Sequence, residues 1–456
     1  MKNRKMYEAL TEIDSEYLER AYPIRRRRMG KAVIAAMLCA AILLSLGAGI
    51  AMHLKNNTQG ETTAPTVNVP GYDESGSIKN VSAAVNGTLK DGKEADEEFI
   101  SAVNDFSVKL MQAQMTEGEN TLLSPLSAMY ALSMTANGAD GETLKQMEEV
   151  LGGELSIDEL NEYLRGLYAR LLMEGNGIKS ANSIWIRDRF SPAVSPMFLE
   201  KNAHYYGTDV YTAPFNPDTV KEVNKWAYER TDGMIEEIIE NIEPDAVMLL
   251  LNSLLFESDW EKKIKESYNG KFTNADGDIQ SVIMMEGEAE YYIEDINGEG
   301  CIKKLSNGCS LFAILPKADM TADKYAATLT GETLYNMLNG ALKTKVEMHI
   351  PAFSSYTEND LSKALQDMGM KDAFSETDSD FSKICEPRIE ELYIGTVAQN
   401  TKINVTMDGV KAGAATVVQI YEKGGDFFLQ YFDRPFVYGI MTEDGIPLFI
   451  GVQNQM

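Results

Sequence analysis

From Glu98 onward the hydrophobic period changes once along the chain, from helical to strand-like, and this ordering constrains the fold more than any other feature. Apolar residues at Ile100, Val103, Phe106, Leu110 and Met111 recur at helical spacing. Asn120 to Ser127 then turns the chain into a second helical run carrying Ala128 to Ala136, and further helical patterns cover 143–151 and 157–172. Strand-like runs begin at 181–186 and continue at 247–256, 311–315, 346–350, 392–397, 402–405, 436–441 and 448–452. Helices gathered in the first half and strands in the second, without βαβ alternation, predict an α+β fold with mostly antiparallel sheets. No internal repeat is visible.

One stretch of the second half, Val405 to Phe436, carries two conflicting instructions. Gly409 opens a run of small residues (Ala412, Gly413, Ala414, Ala415) that passes through Thr416 into Val417, Val418, Gln419, Ile420 and Tyr421. Small and β-branched residues without proline suit a central strand, because every residue keeps its ladder donor. Glu422-Lys423-Gly424-Gly425-Asp426 reads instead as an exposed loop tip. Read as a strand, Val410, Ala412, Ala414, Thr416, Val418 and Ile420 share one uncharged face, while Lys411, Gly413, Ala415, Val417, Gln419 and Tyr421 share the other.

Charge and chemistry exclude several classes of function. The net charge of −27 gives phosphate nothing to bind, so nucleic acid is not an expected partner. Cys39 lies in an apolar run, and Cys301, Cys309 and Cys385 form no paired motif, so these three read as small buried side chains. His53, His204 and His349 lack motif partners, and no phosphate loop, nucleophile elbow or metal-ligand spacing occurs. Neither an enzyme, a cofactor nor a metal site is expected.

The N-terminal quarter has a different character. Residues 1–31 are charged and end in Arg25-Arg26-Arg27-Arg28 and Lys31, whereas 32–53 is an uncharged apolar stretch long enough to span a bilayer. The basic cluster places residues 1–31 in the cytoplasm and the rest outside, as a single-pass cell-membrane protein anchored by 32–53. The alternative is a cleaved signal peptide and a secreted product. Residues 54–97 are polar, with little aromatic content, and read as a flexible linker ahead of a folded domain at 98–456.

Within that domain, a set of short motifs resembles the serpins. Asn120 to Ser127 is similar to the family's N-x-x-x-S-P-x-S segment, followed by Asn137-Gly138-Ala139 and Gly141-Glu142-Thr143. Ala181-Asn182-Ser183-Ile184-Trp185, Asn224-x-Trp226 with Thr231-Asp232-Gly233, and Leu251 to Phe256 with Trp260 match further family segments. Asp433-Arg434-Pro435-Phe436 and Leu448-Phe449-Ile450-Gly451 resemble its closing signature. Each match is short, and their common order over 98–456 is specific. Glu257-Ser258 stands where the family has Lys-Gly, and Met407 replaces a usual Glu.

The resemblance implies three mostly antiparallel β-sheets, eight or nine helices and an exposed reactive-centre loop, in a monomer of bacterial, membrane-anchored type. Gly409, Val410, Lys411, Ala412, Gly413, Ala414, Ala415 and Thr416 stand in place of the hinge of inhibitory members. What this implies is suicide inhibition. A serine protease attacks the loop, its nucleophile forms an acyl-enzyme, and the freed segment inserts into the main sheet, so that the partner is held covalently. The resemblance places the reactive bond at Lys423-Gly424, which suits a trypsin-like target. Tyr421, for a chymotrypsin-like protease, and Ile420 or Val418, for an elastase-like one, remain open. So do a cysteine-protease target and a non-inhibitory role as an extracellular binding or adhesion module.

Overall fold

The structure, a computed structural model, describes residues 77–85, 88–173, 176–231, 233, 237–385, 392–410 and 428–456. The basic segment 1–31, the anchor 32–53 and residues 54–76 of the linker lie outside the described residues. Among the described residues no helix is long and apolar enough to cross a membrane.

In chain order the elements are β1 (Lys79–Asn80), α1 (Glu97–Gln114), β2 (Thr121–Leu123), α2 (Pro125–Ala136), α3 (Gly141–Gly152), α4 (Ile157–Leu171) and β3 (Ile178–Arg187). Next come α5 (Pro196–Tyr206), β4 (Asp209–Ala213), α6 (Pro217–Arg230), β5 (Met248–Phe256), β6 (Ser258–Asp259), β7 (Glu266–Thr273), β8 (Ile279–Glu294), β9 (Gly298–Lys304) and β10 (Ser310–Pro316). The chain closes with α7 (Ala322–Thr328), α8 (Gly331–Asn339), β11 (Leu342–Pro351), β12 (Phe353–Asp360), α9 (Ser362–Met368), β13 (Ala398–Val405), β14 (Gly409–Val410), β15 (Phe428–Tyr431), β16 (Phe436–Met441) and β17 (Pro447–Gln453). Nine α-helices and three sheets among the described residues make this the expected α+β architecture.

The sheets run β1-β4-β3-β5, β12-β13-β14-β6, and β15-β11-β8-β9-β10-β16-β17-β2 with β7 paired to β8. All strand pairs are antiparallel except β3 with β4 and β11 with β15. In the core β10, β16 and β17 are buried along their whole lengths; β17 packs against α1 and α2, and α7 packs against all three. Helix α1 starts where it does because Asp96 accepts a hydrogen bond from the Phe99 N–H at 3.0 Å, with Glu97 and Glu98 in the first turn favourable to the helix dipole. Helix α2 starts at Pro125, behind an Ser124 cap.

Two expectations need correction. Residues 392–397 form no strand, because their backbone bonds go elsewhere: Ile394 N–H donates to Ala373 O and Val397 N–H to Ser362 Oγ. The strand starts only at Ala398. The linker predicted for 54–97 also ends earlier than its composition suggests. Lys79 and Asn80 pair with Thr212 and Tyr211 of β4, and Val81 N–H donates to Val210 O at 2.8 Å, so residues 79–82 are an added edge of a sheet. A two-residue strand is too short to show a hydrophobic period.

Candidate functional site

The site is a gap between two strands, β13 and β5, that among the described residues do not pair with each other. Strand β13 pairs with β12 along its full length, but on its other side, among the described residues, it pairs only at its last residue, Val405 with Val410. Strand β5 pairs with β3 along its full length and, among the described residues, with no other strand. Among the described residues the two banks are joined by strand pairing at one end, where β14 lies between β13 and β6, with Gly409 opposite Asp259 and Val410 opposite Ser258. Val410 is fully buried there. A Cβ on Gly409 would sit 2.0 Å from the Ser258 carbonyl oxygen, so only glycine fits this close approach.

The sequence of β5 shows what the gap costs. Its run Met-Leu-Leu-Leu-Asn-Ser-Leu-Leu-Phe reads as a buried central strand, yet Met248, Leu249, Leu250, Leu251 and Leu254 are only half-buried. Strands β10 and β17, which have neighbours on both sides, are buried at every residue. Met248, Leu250 and Leu254 pack against the main core, and Leu249 and Leu251 against the smaller cluster around Trp185 and Trp226. One more strand beside β5 would cover what is left exposed on both faces.

Two sets of contacts hold the banks in place. At the joined end, buried Trp260 donates its backbone N–H to Asp408 O at 3.0 Å and its Nε1–H to Thr406 O at 2.9 Å, which ties the turn between β13 and β14 to the chain after β6. Under its ring lies the buried Lys303 ammonium, 5.4 Å from the ring centroid, donating to Lys262 O and Glu288 O. Burial pushes the Lys303 pKa below the ordinary lysine value. Met407, in place of the family's Glu, packs on the core with no charge to satisfy. Ser258, in place of the family's Gly, is a buried member of β6.

Midway along the gap, the first turn of α2 touches both banks. Ser124 N–H donates to Gln399 Oε1 at 3.0 Å, and Gln399 Nε2 donates back to Ser124 O at 2.8 Å. Three residues on, Ser127 Oγ donates to Asn252 Oδ1, and Asn252 Nδ2 reaches Asn182 Oδ1 at 2.8 Å. Gln399 belongs to β13 and Asn252 to β5, so one helix end clasps both sides of the gap.

Of the residues singled out from sequence, Gly409 and Val410 stand at the closed end of the gap. Lys411, Ala412, Gly413, Ala414, Ala415 and Thr416, the reactive-bond candidates Lys423 and Gly424, and the alternatives Tyr421, Ile420 and Val418 lie outside the described residues. Trp226 and Trp260, named within the family motifs, are both buried. Gln399 and Lys303 were missed. A lone Gln or Lys in an alternating strand carries no signal of a partner distant in the chain. Cys301, Cys309 and Cys385 are free and buried, and burial raises their thiols to about 12, 12 and 11.

Comparison with known proteins agrees with this geometry. The chain is 27% identical over 409 residues to an uncharacterized serpin-like protein of Thermococcus kodakarensis, covering 86% of this chain and 93% of the relative. It is 27% identical over 365 residues to human (Homo sapiens) antithrombin-III, covering 76% and 77%. The native-state crystal structure of the thermophilic serpin tengpin superimposes with a TM-score of 0.77 at 36% identity, covering 83% of this chain and all of that one. The family profile described as Serpin (serine protease inhibitor) matches residues 101–455. Serpins are typically protease inhibitors and not catalysts. With its gapped sheet and its match over most of its length, the chain belongs to the serpin family.

Proposed function

We propose that this chain is a suicide inhibitor of serine proteases, with a trypsin-like target attacked at Lys423-Gly424. The observation that carries this reading is β14: two residues already paired on both sides, between β13 and the chain that continues β5, where among the described residues β13 and β5 do not pair with each other. Continuing its register toward β13 sets Ala412 beside Ile403, Ala414 beside Thr401 and Thr416 beside Gln399. Toward β5 the same register sets Ala412 beside Phe256, Ala414 beside Leu254, Thr416 beside Asn252, Val418 beside Leu250 and Ile420 beside Met248. Each residue of the uncharged face meets the core-facing side of β5, and the hydroxyl of Thr416 meets the two amides that α2 clasps. Lys411 and Gln419 fall on the opposite face, so no charge needs to be buried among the core residues.

Inhibition then needs no catalytic group from this chain. The protease's own nucleophile attacks the Lys423 carbonyl carbon, the bond to Gly424 breaks, and the acyl group stays on the protease. The released segment 411–420 enters the gap as a strand between β13 and β5, gaining ladder hydrogen bonds and covering the half-exposed leucines. That free energy, stored in the uninserted fold, drags the acyl-enzyme away from its working geometry before water can release it. We further propose that 32–53 anchors the chain in the cell membrane, that 1–31 is cytoplasmic, and that the inhibitor domain is extracellular. Incubation with trypsin tests the first reading. An SDS-stable complex and a released C-terminal fragment beginning at Gly424 are expected. Clean cleavage without a complex would leave a substrate or a binding module instead.

A further inference from the structure

His349 is one of three histidines in the chain, and its strand neighbours are carboxylates. Across the four adjacent strands β7, β8, β11 and β15, Glu266 faces Glu286, Glu286 faces His349, and His349 faces Tyr431. Directly opposed residues share a face of a sheet, and Glu347, two residues before His349, lies on that face too. Ligand atoms of Glu286, Glu347 and His349 all lie within 4.8 Å of one another, and His349 Nε2 is 3.2 Å from Glu347 Oε1. His349 is 8% exposed.

The hydrogen bonds around the ring are those a metal-bound imidazole needs. Tyr268 Oη lies 3.0 Å from both Tyr431 Oη and His349 Nδ1; with its proton donated to Tyr431, its oxygen accepts from Nδ1–H. With this tautomer the lone pair of Nε2 points at the Glu347 carboxylate, and a cation bound between them satisfies both; in the opposite tautomer Nε2–H donates to Glu347 and the site holds no cation. Among the described residues Glu286 has no lysine or arginine ion-pair partner, and Glu347 pairs only with His349. The nearby lysines are engaged elsewhere, Lys262 and Lys345 both on Glu288.

From this geometry we infer that Glu286, Glu347 and His349 form a binding site for a divalent metal of the zinc class. A neutral imidazole and two carboxylates give a ligand charge of −2, matched to a divalent ion, and the mixed N/O set suits zinc better than calcium or magnesium. Zinc bonds of about 2.1 Å put tetrahedral ligands about 3.4 Å apart, a separation that Nε2 and Oε1 already meet within 0.2 Å. Rotation of the half-exposed Glu286 side chain brings in the third ligand, and water takes the fourth position. Tyr268 is the partner that fixes the ring. The site joins β8 to β11, and through Tyr268 and Tyr431 it reaches β15, the strand next after residues 411–427.

The full-length chain, stripped with chelator and then titrated with zinc in the presence of excess magnesium and calcium to occupy the acidic surface, tests the site by calorimetry. One zinc per chain is expected, with affinity at least tenfold weaker in Glu286→Gln and in His349→Ala, and unchanged in His204→Ala. Zinc should raise the melting temperature of the wild type and not of Glu286→Gln, a conservative variant whose own melt reports that it is folded. Absence of stoichiometric binding, or binding equally tight in Glu286→Gln and His349→Ala, would overturn the assignment and leave a proton as the only cation at Nε2. None of these readouts involves a protease, so they stand or fall apart from the inhibitory reading.

Discussion

The clasp between α2 and β13 makes a quantitative prediction. Gln399→Leu keeps the size of the side chain and its fit to a strand, but removes both bonds to Ser124. Ser124 is 3% exposed and Gln399 9%, so water cannot substitute. The Ser124 carbonyl keeps one partner, the Ala128 N–H at 3.2 Å, and loses only the Gln399 donor. The Ser124 N–H, whose partner is Gln399 Oε1, is orphaned outright. An orphaned buried donor costs about 1–3 kcal/mol and a lost neutral hydrogen bond about 0.5–1.5, so the variant is destabilised by about 2–4 kcal/mol. With an unfolding entropy of about 2.1 cal/mol/K per residue over roughly 360 residues, that lowers the melting temperature by about 3–5 °C. Differential scanning calorimetry of the uncleaved protein reads the shift. A variant melting within 1 °C of wild type would mean that the clasp does not hold β13, and the account of how the gap is kept would fail.

Three further predictions rest on other contacts. Trp260→Phe removes the Nε1–H bond to Thr406 and part of the packing over Lys303, so a loss of about 1–3 kcal/mol should appear in urea unfolding, whereas no loss would show that the joined end of the gap is held by β14 alone. The Asp96 carboxyl is held below its ordinary value, first by the Tyr163 hydroxyl and then by the Phe99 N–H. Its stabilising effect is therefore complete above the ordinary carboxyl range and lost as the pH falls through its lowered folded value, so melting curves of wild type and Asp96→Asn should differ at pH 7 and converge in strong acid. In a Cys39→Ser chain, a thiol reagent at pH 8 should label none of the three buried cysteines until denaturant is added, because their thiols are held at about 11 to 12; rapid labelling of the folded protein would contradict their burial.

The parts of the fold that were legible in the sequence are those whose signal is periodic and local. Helix α4 repeats its apolar residues over four turns behind a Ser156–Glu159 capping box, and β17 is a continuous buried run, so both stand out from the chain alone. Residues 392–397 have the composition of a strand, and nothing local says that their backbone bonds go to Ser362 at the start of α9 and to Ala373 in a helical turn instead. The docked edge at Lys79–Asn80 was read as linker for the opposite reason: its composition is polar, and its place is set by β4. For the site, the small-residue run beginning at Gly409 announced a strand in search of a sheet. The proposed receiving edge was hidden, since Gln399, Asn252 and Ser124 are brought together by topology. His349 looked solitary for the same reason, as Glu286 and Tyr268 come to it on neighbouring strands.

The central claim is that the segment after Val410 enters the gap between β13 and β5 and traps the protease that cut it. The direct measurement is to incubate wild type and Ala414→Pro with trypsin, follow complex formation on denaturing gels, and record the melting temperature of the cleaved chains. The account predicts an SDS-stable complex and a sharply raised melting temperature for wild type. Ala414→Pro should be cleaved but form no complex, since proline removes a ladder donor opposite Thr401. Complex formation that survives Ala414→Pro, or a cleaved wild type that melts where the intact protein does, would contradict it.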